Sequence, residues 1–548
     1  MSTAFPIKIN ASGELPVVRC QCASPTSSRA DLDAKPLPQA TPAQVDREKS
    51  SYGQILKSSA LVGGSQVANI AIGIVRTKAM AILLGPAGFG LFGLYGSIQN
   101  LTQSIAGMGI NSSGVRQIAE AVGAGDAHRI GKTAAILRRT ALLLGALGAI
   151  LLFVFSRPIS ILTFGTPQRA RSVALLSVAI LFTLIAGGQM ALIQGMRRIS
   201  DLARINIFGA VLGLCTGIPL VYFFRQGGVV PSLISVAAMT ILTSWWFSRK
   251  IEVQVPKVSI SEVWHEASAL LKLGAAFMAS GLMTMGVAYF VRVLLVQKVS
   301  MEATGLYQSA WTLGGLYVTF ILQAMGADFF PRLTSRIHNH DDANRLVNEQ
   351  TLVGLLLAGP GVLATLTFAP VVIALFYSAK FAAAVPVLRW ICLGVLLQVI
   401  TWPMGFIIVA KGKPVLFFVA ELAWTIVAIT LSWLSINHFG LNGAGIAFFG
   451  SYVFHLLLIY PIAHGVTGFR WSTANQRNAL IFFSTIAVVF CTFFVLPIIW
   501  SVLAGAGAAI GSAAYSLRTL LDMIPVHRLP KPIHSGLLRF GVLTPDAR

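Results

Sequence analysis

The chain is 548 residues long; 55% of its residues are hydrophobic and only 11% are charged, against about a quarter charged in an ordinary soluble domain. This composition excludes a soluble globular enzyme and, for most of the chain, intrinsic disorder. The chain has 41 basic and 19 acidic residues, a formal charge of +22, which in a soluble protein would suggest nucleic-acid binding. In a chain this apolar, the basic residues indicate cytoplasmic loops of a membrane protein, and no nucleic-acid partner is expected.

Residues 1–50 are polar and lack the apolar stretch of a signal peptide, which predicts a disordered cytoplasmic tail. From Tyr52 onward, long uncharged runs alternate with short charged loops. A helix needs about 20 apolar residues to cross a bilayer, so the sequence predicts an all-α polytopic membrane protein. The segments that we expect after the tail are a six-helix lobe at 51–247, a cytoplasmic linker at 248–269, a second six-helix lobe at 270–466, one or two extra membrane helices at 478–522 and a tail at 523–548.

An internal repeat relates the two predicted lobes. Landmarks recur in the same order at a nearly constant spacing, which chance matches between apolar helices would not preserve. Since each lobe has six spans, both enter the membrane from the same side, and the repeat is parallel, about a pseudo-two-fold axis along the membrane normal. The paired landmarks are Arg76 with Arg292, Gly93-Leu94-Tyr95 with Gly305-Leu306-Tyr307, Met108-Gly109 with Met325-Gly326, Arg116 with Arg332, and Pro158 with Pro370.

Basic residues predict the orientation. With the N-terminus in the cytoplasm, the cytoplasmic loops before the last spans carry 19 Lys and Arg residues and the opposite loops carry six. Lys and Arg accumulate in cytoplasmic loops, so we expect a cytoplasmic N-terminus. The six residues on the opposite side are Arg157, Arg169, Arg171, Arg225, Lys298 and Lys380.

Two arginines fall inside predicted membrane helices, where a charge costs about 2.5–3.5 kcal/mol by insertion scales. Arg76 lies two-thirds along the first span, and Arg292 occupies the equivalent place in the seventh. Corresponding depths in the first helix of each lobe suggest that both face one cavity between the lobes. Arginine stays charged and presents a planar fork of donors, which predicts an anionic substrate group such as a diphosphate.

Other charged residues have two or more interpretations. Lys78 either joins the same cavity or extends to the lipid headgroups. Arg116 and Arg332 either guide a headgroup in from the cytoplasm or are ordinary loop charges. Glu421 either pairs with a cavity base, carries a coupling proton or lies near the interface. Asp328 is expected at the interface in a salt bridge or helix cap, with coupling as the alternative.

The sequence carries no pattern for covalent chemistry. Five cysteines form no disulfide framework or zinc spacing. No catalytic residues, metal site or cofactor are therefore predicted.

Several stretches resemble the O-antigen translocases, the Wzx-type lipid-linked oligosaccharide flippases of the multidrug/oligosaccharidyl-lipid/polysaccharide exporter superfamily. The resemblance covers about residues 52–475. The long N-terminal tail and the segment after about residue 478 depart from it. The matching stretches are LKSSALVGGSQVANIAIGIVRTKAMAILLGPAGFGLFGLY (56–95), QGMRRISDLARINIFGAVLG (194–213), GLYQSAWTLGGLYVTFILQAMGADFFPRLT (305–334), NRLVNEQ (344–350) and FGLNGAGIAF (439–448).

The resemblance implies two six-helix lobes in a V shape and alternating access. It implies a substrate of undecaprenyl diphosphate carrying a short sugar chain, moved from the cytoplasmic to the periplasmic leaflet of the bacterial inner membrane for O-antigen or enterobacterial common antigen assembly. Basic residues of helices one, two and seven line the cavity in such flippases, and Arg76, Lys78 and Arg292 fit that pattern. A polysaccharide polymerase and a chain-length regulator are the candidate protein partners.

Two rival functions make different predictions. A drug/cation antiporter of the same superfamily predicts an acidic cavity. A membrane glycosyltransferase or polysaccharide polymerase predicts a carboxylate or metal motif and, usually, a large periplasmic loop. The sequence leaves open the sugar repeat unit, the coupling ion, the oligomeric state, the role of the tail, and 13 against 14 membrane helices.

Overall fold

The computed structural model describes residues 42–251, residue 278 and residues 281–523. In these ranges the chain forms helices and turns and no strand, as the composition predicts. The α-helices of the described ranges are α1 (Pro42–Gly107), α2 (Ile110–Gly123), α3 (Ala127–Val154), α4 (Ser156–Phe164), α5 (Ala170–Gly195), α6 (Ile199–Phe224), α7 (Val229–Ser248), α8 (Gly281–Lys298), α9 (Met301–Arg336), α10 (His340–Thr367), α11 (Ala369–Phe376), α12 (Val385–Ala410), α13 (Pro414–Phe439), α14 (Leu441–Thr467), α15 (Thr473–Val495) and α16 (Ile498–Met523).

Helix α1 reverses direction at Gly85, where φ is 66° and Pro86 follows. A positive φ is a conformation that glycine adopts at little cost. The Arg76 guanidinium carbon lies 5.4 Å from the centroid of the Phe92 ring, although 16 residues of straight helix would separate the two residues by about 24 Å. The part of α1 that crosses the membrane is therefore a hairpin, with span one at residues 64–84 and span two at residues 86–107.

The chain is a multi-pass membrane protein. Eleven described stretches have the length and hydropathy of a membrane span, and α9, bent by 49° between Met301–Gln323 and Asp328–Arg336, makes twelve. Two of these stretches are hairpins of two crossings each. The first hairpin consists of spans one and two. The second consists of α6 and α7, which the 3₁₀ turn Arg225–Gly228 joins. The described residues therefore provide fourteen helical crossings.

The repeat predicted from the sequence is visible in the helices themselves. Both α3 and α10 have 28 residues, and each is followed by a short helix, α4 or α11. Both α5 and α12 have 26 residues, as do α6 and α13. The N-terminal lobe consists of spans one and two with α2–α7, and the C-terminal lobe consists of α8–α14.

Helices α15 and α16 follow the second lobe and pack against its α10. The Gly505 Cα of α16 sits so close to Thr367 that an added Cβ would overlap the threonine side chain. Arg518, which made this last helix uncertain from the sequence, is exposed and lies within two turns of the helix end. Near an end, its long side chain can reach the headgroups.

Parts of four predicted segments lie outside the described residues: residues 1–41 of the tail, residues 252–269 of the linker, residues 270–277, 279 and 280 of the second lobe, and the C-terminal residues 524–548. Helix α1 begins at Pro42, so residues 42–50 of the expected tail are helical.

Candidate functional site

The two lobes meet backbone to backbone at the end of the bundle where span one turns into span two. A Cβ built on Gly305 of α9 would overlap the carbonyl oxygen of Pro86, and one built on Gly90 would overlap that of Met301. Glycine is the residue that permits such a close approach.

Side chains from both lobes surround this contact. The Phe89 ring of span two lies 5.3 Å from that of Tyr377 and 5.8 Å from that of Phe381. The hydroxyls of Thr163 (α4) and Tyr289 (α8) are 2.6 Å apart and share a hydrogen bond. These contacts close the space between the lobes at this end.

A further hydrogen bond of 2.6 Å joins Gln297 Nε2, the donor, to the backbone oxygen of Leu162. We call the whole inter-lobe contact the seam. Its N-terminal side consists of residues 86–93 and 162–163, and its C-terminal side consists of residues 289–308 and 377–381.

Arg292 is buried within the C-terminal side of the seam, with 5% of its surface exposed. Its Nε donates a hydrogen bond of 2.6 Å to Gln308 Oε1, and a terminal nitrogen donates one of 2.5 Å to the backbone oxygen of Ala288. The guanidinium carbon lies 5.7 Å from the centroid of the Tyr307 ring. Neutral acceptors and an aromatic face therefore hold this buried cation.

Gln308 connects Arg292 to the opposite lobe. Its Nε2 donates a hydrogen bond of 3.1 Å to Thr312 Oγ1 on the next turn of α9. A Cβ at Gly93 of span two would lie 2.7 Å from Gln308 Oε1, the atom that accepts from Arg292. The position of this carboxamide thus depends on both Arg292 and the surface of span two.

Arg76 lies on the other side of the same seam. It is half-buried in span one, over the ring of Phe92, the residue before Gly93. Arg76 therefore contacts span two at Phe92, and Arg292 bonds to Gln308 within the C-terminal lobe. Lys78 is half-buried on another face of span one.

Farther along span two, described residues of both lobes line an open cavity of about 420 Å³. Asn100 lies ten residues beyond Gly90, which is about 15 Å of helix. The polar side chains of the described lining come from span two and α2, the apolar ones include Met278 and Met285 of α8, and the lining includes neither Arg76 nor Arg292. The lining residues are Asn100, Gln103, Ser104, Gly107, Gly109, Ile110, Asn111, Ser112, Leu184, Met278, Gly281 and Met285.

The opposite face of span two borders an apolar groove of about 880 Å³ against α3 and α4. Thr102 and Ile105 line it from span two, Met108 lines it just after the end of that span, and leucines such as Leu147 line it from α3. Span two therefore separates a polar inter-lobe cavity from an apolar surface groove.

A second, smaller cavity of about 140 Å³ lies inside the C-terminal lobe, where Tyr307 and Trp424 are among its walls. Glu421 is half-buried on α13, one turn before Trp424. The Trp424 ring lies 6.2 Å from that of His455, so Glu421 belongs to a polar and aromatic region of this lobe.

The remaining predicted residues form local ion pairs at the protein surface. Arg116 pairs with Glu120 at 2.9 Å on α2, and Arg332 pairs with Asp328 at 3.1 Å at the end of α9. All four side chains are about half exposed or more, so these pairs contribute little to stability.

Sequence reasoning missed most of the seam. Gln308, Tyr289 and Thr163 are single polar residues in apolar runs and carry no signal of their own. The available signal was the Gly-Leu-Tyr repeat at Gly93 and Gly305, because glycines inside membrane helices often mark close helix packing.

The described fold accords with the sequence comparisons. The profile of a family described as "Polysaccharide biosynthesis protein" matches residues 79–386, more than half of the chain. The chain belongs to this family. Its match runs from span one across the seam and into the start of α12.

Two curated relatives align over most of their length. The Lipid III flippases of Escherichia coli (strain K12) and Shigella flexneri are each 25% identical to the chain over 417 residues, which is 74% of this chain and 97% of each relative.

Solved structures share the fold. Lipid II flippase MurJ, in an inward closed conformation, superposes with a TM-score of 0.63 at 15% identity and covers 85% of this chain and 100% of its own. An inward-facing multidrug resistance MATE family transporter superposes with a TM-score of 0.60 at 14% identity, and the match covers 73% of this chain and 96% of the transporter.

Proposed function

We propose that the chain is a flippase that moves an undecaprenyl-diphosphate-linked oligosaccharide, an O-antigen or enterobacterial common antigen type of repeat unit, from the cytoplasmic to the periplasmic leaflet. It works as a transporter by alternating access and makes or breaks no covalent bond. The bacterial inner membrane is its proposed location, and a polysaccharide polymerase and a chain-length regulator are its proposed partners.

One observation carries the proposal. The lobes touch at the seam and line an open cavity, polar on the side of span two, about 15 Å farther along that span, the geometry of a transporter closed at one end. The Lipid III flippases, which align over 97% of their length, support the choice of cargo. With the orientation predicted from the loops, the cavity lies in the cytoplasmic half, where such a lipid is made.

Arg292 gives the cycle a substrate-dependent step. Its present acceptor, Gln308 Oε1, is neutral, whereas the oxygens of a diphosphate are ionised and can take two parallel hydrogen bonds from a guanidinium. A diphosphate reaching the seam would replace Gln308 as the partner of Arg292. Gln308 would then lose the bond that fixes it against Gly93, and the seam would loosen when substrate is bound.

The other predicted residues take supporting roles in this scheme. Arg76 and Lys78 attract the diphosphate from span one, and Arg116 with Arg332 collects the headgroup at the cavity entrance. Glu421 and Asp328 are the candidates for coupling to an ion. The polyprenyl tail stays in the acyl-chain region throughout.

Complementation tests the proposal. A bacterial strain lacking its own oligosaccharide flippase receives the wild type, Arg292→Ala, Arg76→Ala or Arg204→Ala at equal expression, and surface glycan is scored by gel. Arg204 is the matched control, because it is a 62% exposed arginine that pairs with Asp201 at 3.6 Å, far from the seam in sequence. We expect the wild type and Arg204→Ala to restore the surface glycan. Arg292→Ala and Arg76→Ala should fail to restore it. Normal glycan with both seam variants would refute the diphosphate site.

Each rival function predicts an activity of its own that can be measured. A drug/cation antiporter predicts dye efflux, and it predicts carboxylates in the central cavity, whose described lining contains none. A glycosyltransferase or polymerase predicts sugar transfer by purified protein. We expect neither activity.

A further inference from the structure

Basic residues cluster at the outer edge of the seam. Six Lys and Arg residues lie in the loops that are predicted on the seam side of the membrane, against 19 in the opposite loops. Lys and Arg are normally scarce in loops that cross to the periplasm. Four of the six nevertheless lie beside residues that form the seam, two in each lobe. We call these four residues, Arg169, Arg225, Lys298 and Lys380, the cationic rim.

The N-terminal lobe places two rim arginines against spans one and two. Arg225 Nη1 donates a hydrogen bond of 3.4 Å to the backbone oxygen of Leu83, close to the turn between the two spans. The guanidinium carbon of Arg169 lies 5.4 Å from the centroid of the Phe164 ring, and that ring lies 5.5 Å from the Tyr95 ring of span two. Both guanidinium groups are thereby held at the end of the bundle where the seam closes.

The C-terminal lobe contributes two exposed lysines. Lys298 ends α8 and directly follows Gln297, whose side chain bonds to the backbone of the N-terminal lobe. Lys380 lies in the connection between α11 and α12, directly before Phe381, whose ring lies 5.8 Å from that of Phe89 in span two. Since both lysines are exposed, their ammonium groups reach water beside the seam.

The backbone at Arg225 is independent evidence for a role of this cation. Arg225 has φ 52° and ψ −127°, a region that glycine enters readily and other residues avoid. The corresponding cap of the second lobe is Gly440, with φ 56° and ψ −131°. The same turn is thus built with glycine in one lobe and with arginine in the other. An arginine here strains the backbone, which a function of its side chain would offset.

Acidic residues compensate little of the charge of the rim. Among the described residues of the connections on this side, the one carboxylate belongs to Glu302, in the first turn of α9. A carboxylate in that position stabilises the N-terminus of its own helix. The rim therefore keeps a net positive charge, and grouped charges of one sign create potentials of several kT that attract counter-ions.

We propose that the cationic rim is an anion site that receives the diphosphate of the carrier lipid as it leaves the seam, an inference that rests on the proposed function. When the lobes part, the headgroup has to leave the buried Arg292 and enter a leaflet whose own phosphates repel it. The rim offers it a second set of cations at the exit, and its arginines provide paired donors for phosphate oxygens. Because the rim is exposed and salt screens it, the site binds weakly and releases the product.

A cysteine reporter beside the rim measures its potential. Ala379→Cys, at an exposed residue next to Lys380, is introduced into a cysteine-free full chain in nanodiscs of zwitterionic lipid. Two thiol reagents of similar size, one anionic and one cationic, are compared, so that accessibility cancels in the ratio of their rates. We expect the anionic reagent to react about tenfold faster, relative to a free thiol, because a potential of about one kT acts on the two in opposite directions. Added salt should lower this ratio.

Arg225→Gly is the sharpest variant, because it removes one rim cation and gives the strained position the glycine of the other lobe. We expect the rate ratio to fall about twofold, with a thermal stability no lower than that of the wild type. Arg157→Gln is the matched control, since it neutralises an exposed arginine on the same side outside the rim and should preserve the ratio. R169Q/R225G/K298Q/K380Q should bring the ratio close to unity.

The choice of lipid in the nanodiscs identifies the ligand. Undecaprenyl diphosphate should occupy the rim and lower the wild-type ratio at least about twofold, whereas phosphatidylglycerol at the same total charge should lower it less. Equal effects of the two lipids, or no effect of the carrier, would overturn the exit site.

Translocation in proteoliposomes separates the two proposals. The quadruple rim variant should move a carrier-linked oligosaccharide at least about threefold more slowly than the wild type, because the headgroup loses its cations at the exit. A quadruple variant as fast as the wild type would overturn the exit site and leave the flippase intact. A wild type that moves no carrier would overturn both proposals.

Discussion

Arg292 donates a 2.6 Å hydrogen bond to Gln308, and the accepting oxygen is the atom that lies against Gly93 of the other lobe. A cation predicted to bind substrate is thus one contact away from the surface that holds the lobes together. This relationship links substrate charge to the closure of the seam, because whatever competes for Arg292 also releases Gln308.

Variants of Arg292 and Gln308 should separate binding from opening. Arg292→Ala removes the cation, and we expect at least a tenfold slower translocation in proteoliposomes, since hydrogen bonds to charged groups contribute about 1.5–3 kcal/mol. Arg292→Lys keeps the positive charge but lacks the planar fork of donors. Its translocation rate should lie between those of Arg292→Ala and the wild type. Gln308→Glu replaces the neutral acceptor of the Arg292 hydrogen bond with an ionised carboxylate, which forms an ion pair with the guanidinium, so the variant should bind the carrier but open slowly.

Ser309→Ala is the matched control for these variants. Its hydroxyl is also buried on α9, but it donates to Leu306 within the same helix. It should translocate at the wild-type rate. A Gln308→Glu variant as fast as wild type would contradict the exchange of partners at Arg292.

Gly305→Ala should hinder closure of the seam. The new Cβ meets the Pro86 backbone oxygen, and overpacking of this kind costs about 1–3 kcal/mol, enough to shift a two-state equilibrium about fivefold or more. In a Tyr289→Cys reporter, labelling by a membrane-impermeant thiol reagent from the seam side should rise by that factor.

Gly96→Ala on span two is the control for steric closure, because no atom lies within 4 Å of the Cβ position there. It should leave labelling unchanged and, by raising helix propensity, leave the fold at least as stable. Equal labelling of the two alanine variants would show that the Gly305 contact does not limit closure.

The membrane helices and their repeat could be predicted from the sequence because long apolar runs admit few alternatives in a bilayer. The landmark pairs also coincide with structural breaks. Met108 and Gly109 separate α1 from α2, and Met325-Gly326 falls within the bend of α9. Pro158 and Pro370 fall in the short helices α4 and α11.

The partner of Arg292 could not be predicted in the same way. Position along a helix sets the depth of a side chain, but its neighbours depend on helix rotation and on the packing of another helix, which hydropathy does not encode. Gln308 lies in an uncharged run and Gly93 in a glycine-rich one. Likewise, Gly305 is a landmark of the repeat in the sequence, whereas in the structure a Cβ at this position would overlap the Pro86 carbonyl oxygen of the other lobe.

Orientation is testable with two single-cysteine variants in a cysteine-free background. Arg225 lies in the turn between α6 and α7, and Lys413 precedes α13. Five predicted crossings separate them, an odd number, so they lie on opposite faces. We expect Arg225→Cys to react with an impermeant thiol reagent in the periplasm of intact cells and Lys413→Cys to react only after the inner membrane is permeabilised. The reverse pattern would invert the topology, and with it the direction in which the seam faces.

The last prediction concerns how α15 is held on the C-terminal lobe. The Arg389 guanidinium carbon of α12 lies 3.4 Å from the centroid of the Phe493 ring, and Arg389 Nε donates a hydrogen bond of 3.3 Å to the Leu366 backbone oxygen. Cation–π contacts contribute about 0.5–2 kcal/mol, more when desolvated. We therefore expect Phe493→Leu to lower thermal stability in detergent while translocation continues.

Phe494→Leu, at a neighbouring ring that is 70% exposed, controls for loss of an aromatic side chain and should leave thermal stability unchanged. In an Arg389→Met background, Phe493→Leu should lower thermal stability less than it does in the wild type. The effects of substituting two contacting residues are not additive in a double-mutant cycle. Additive losses would mean that Phe493 stabilises α15 by apolar packing alone. In that case the cation–π contact between Arg389 and Phe493 would contribute nothing to the stability of α15.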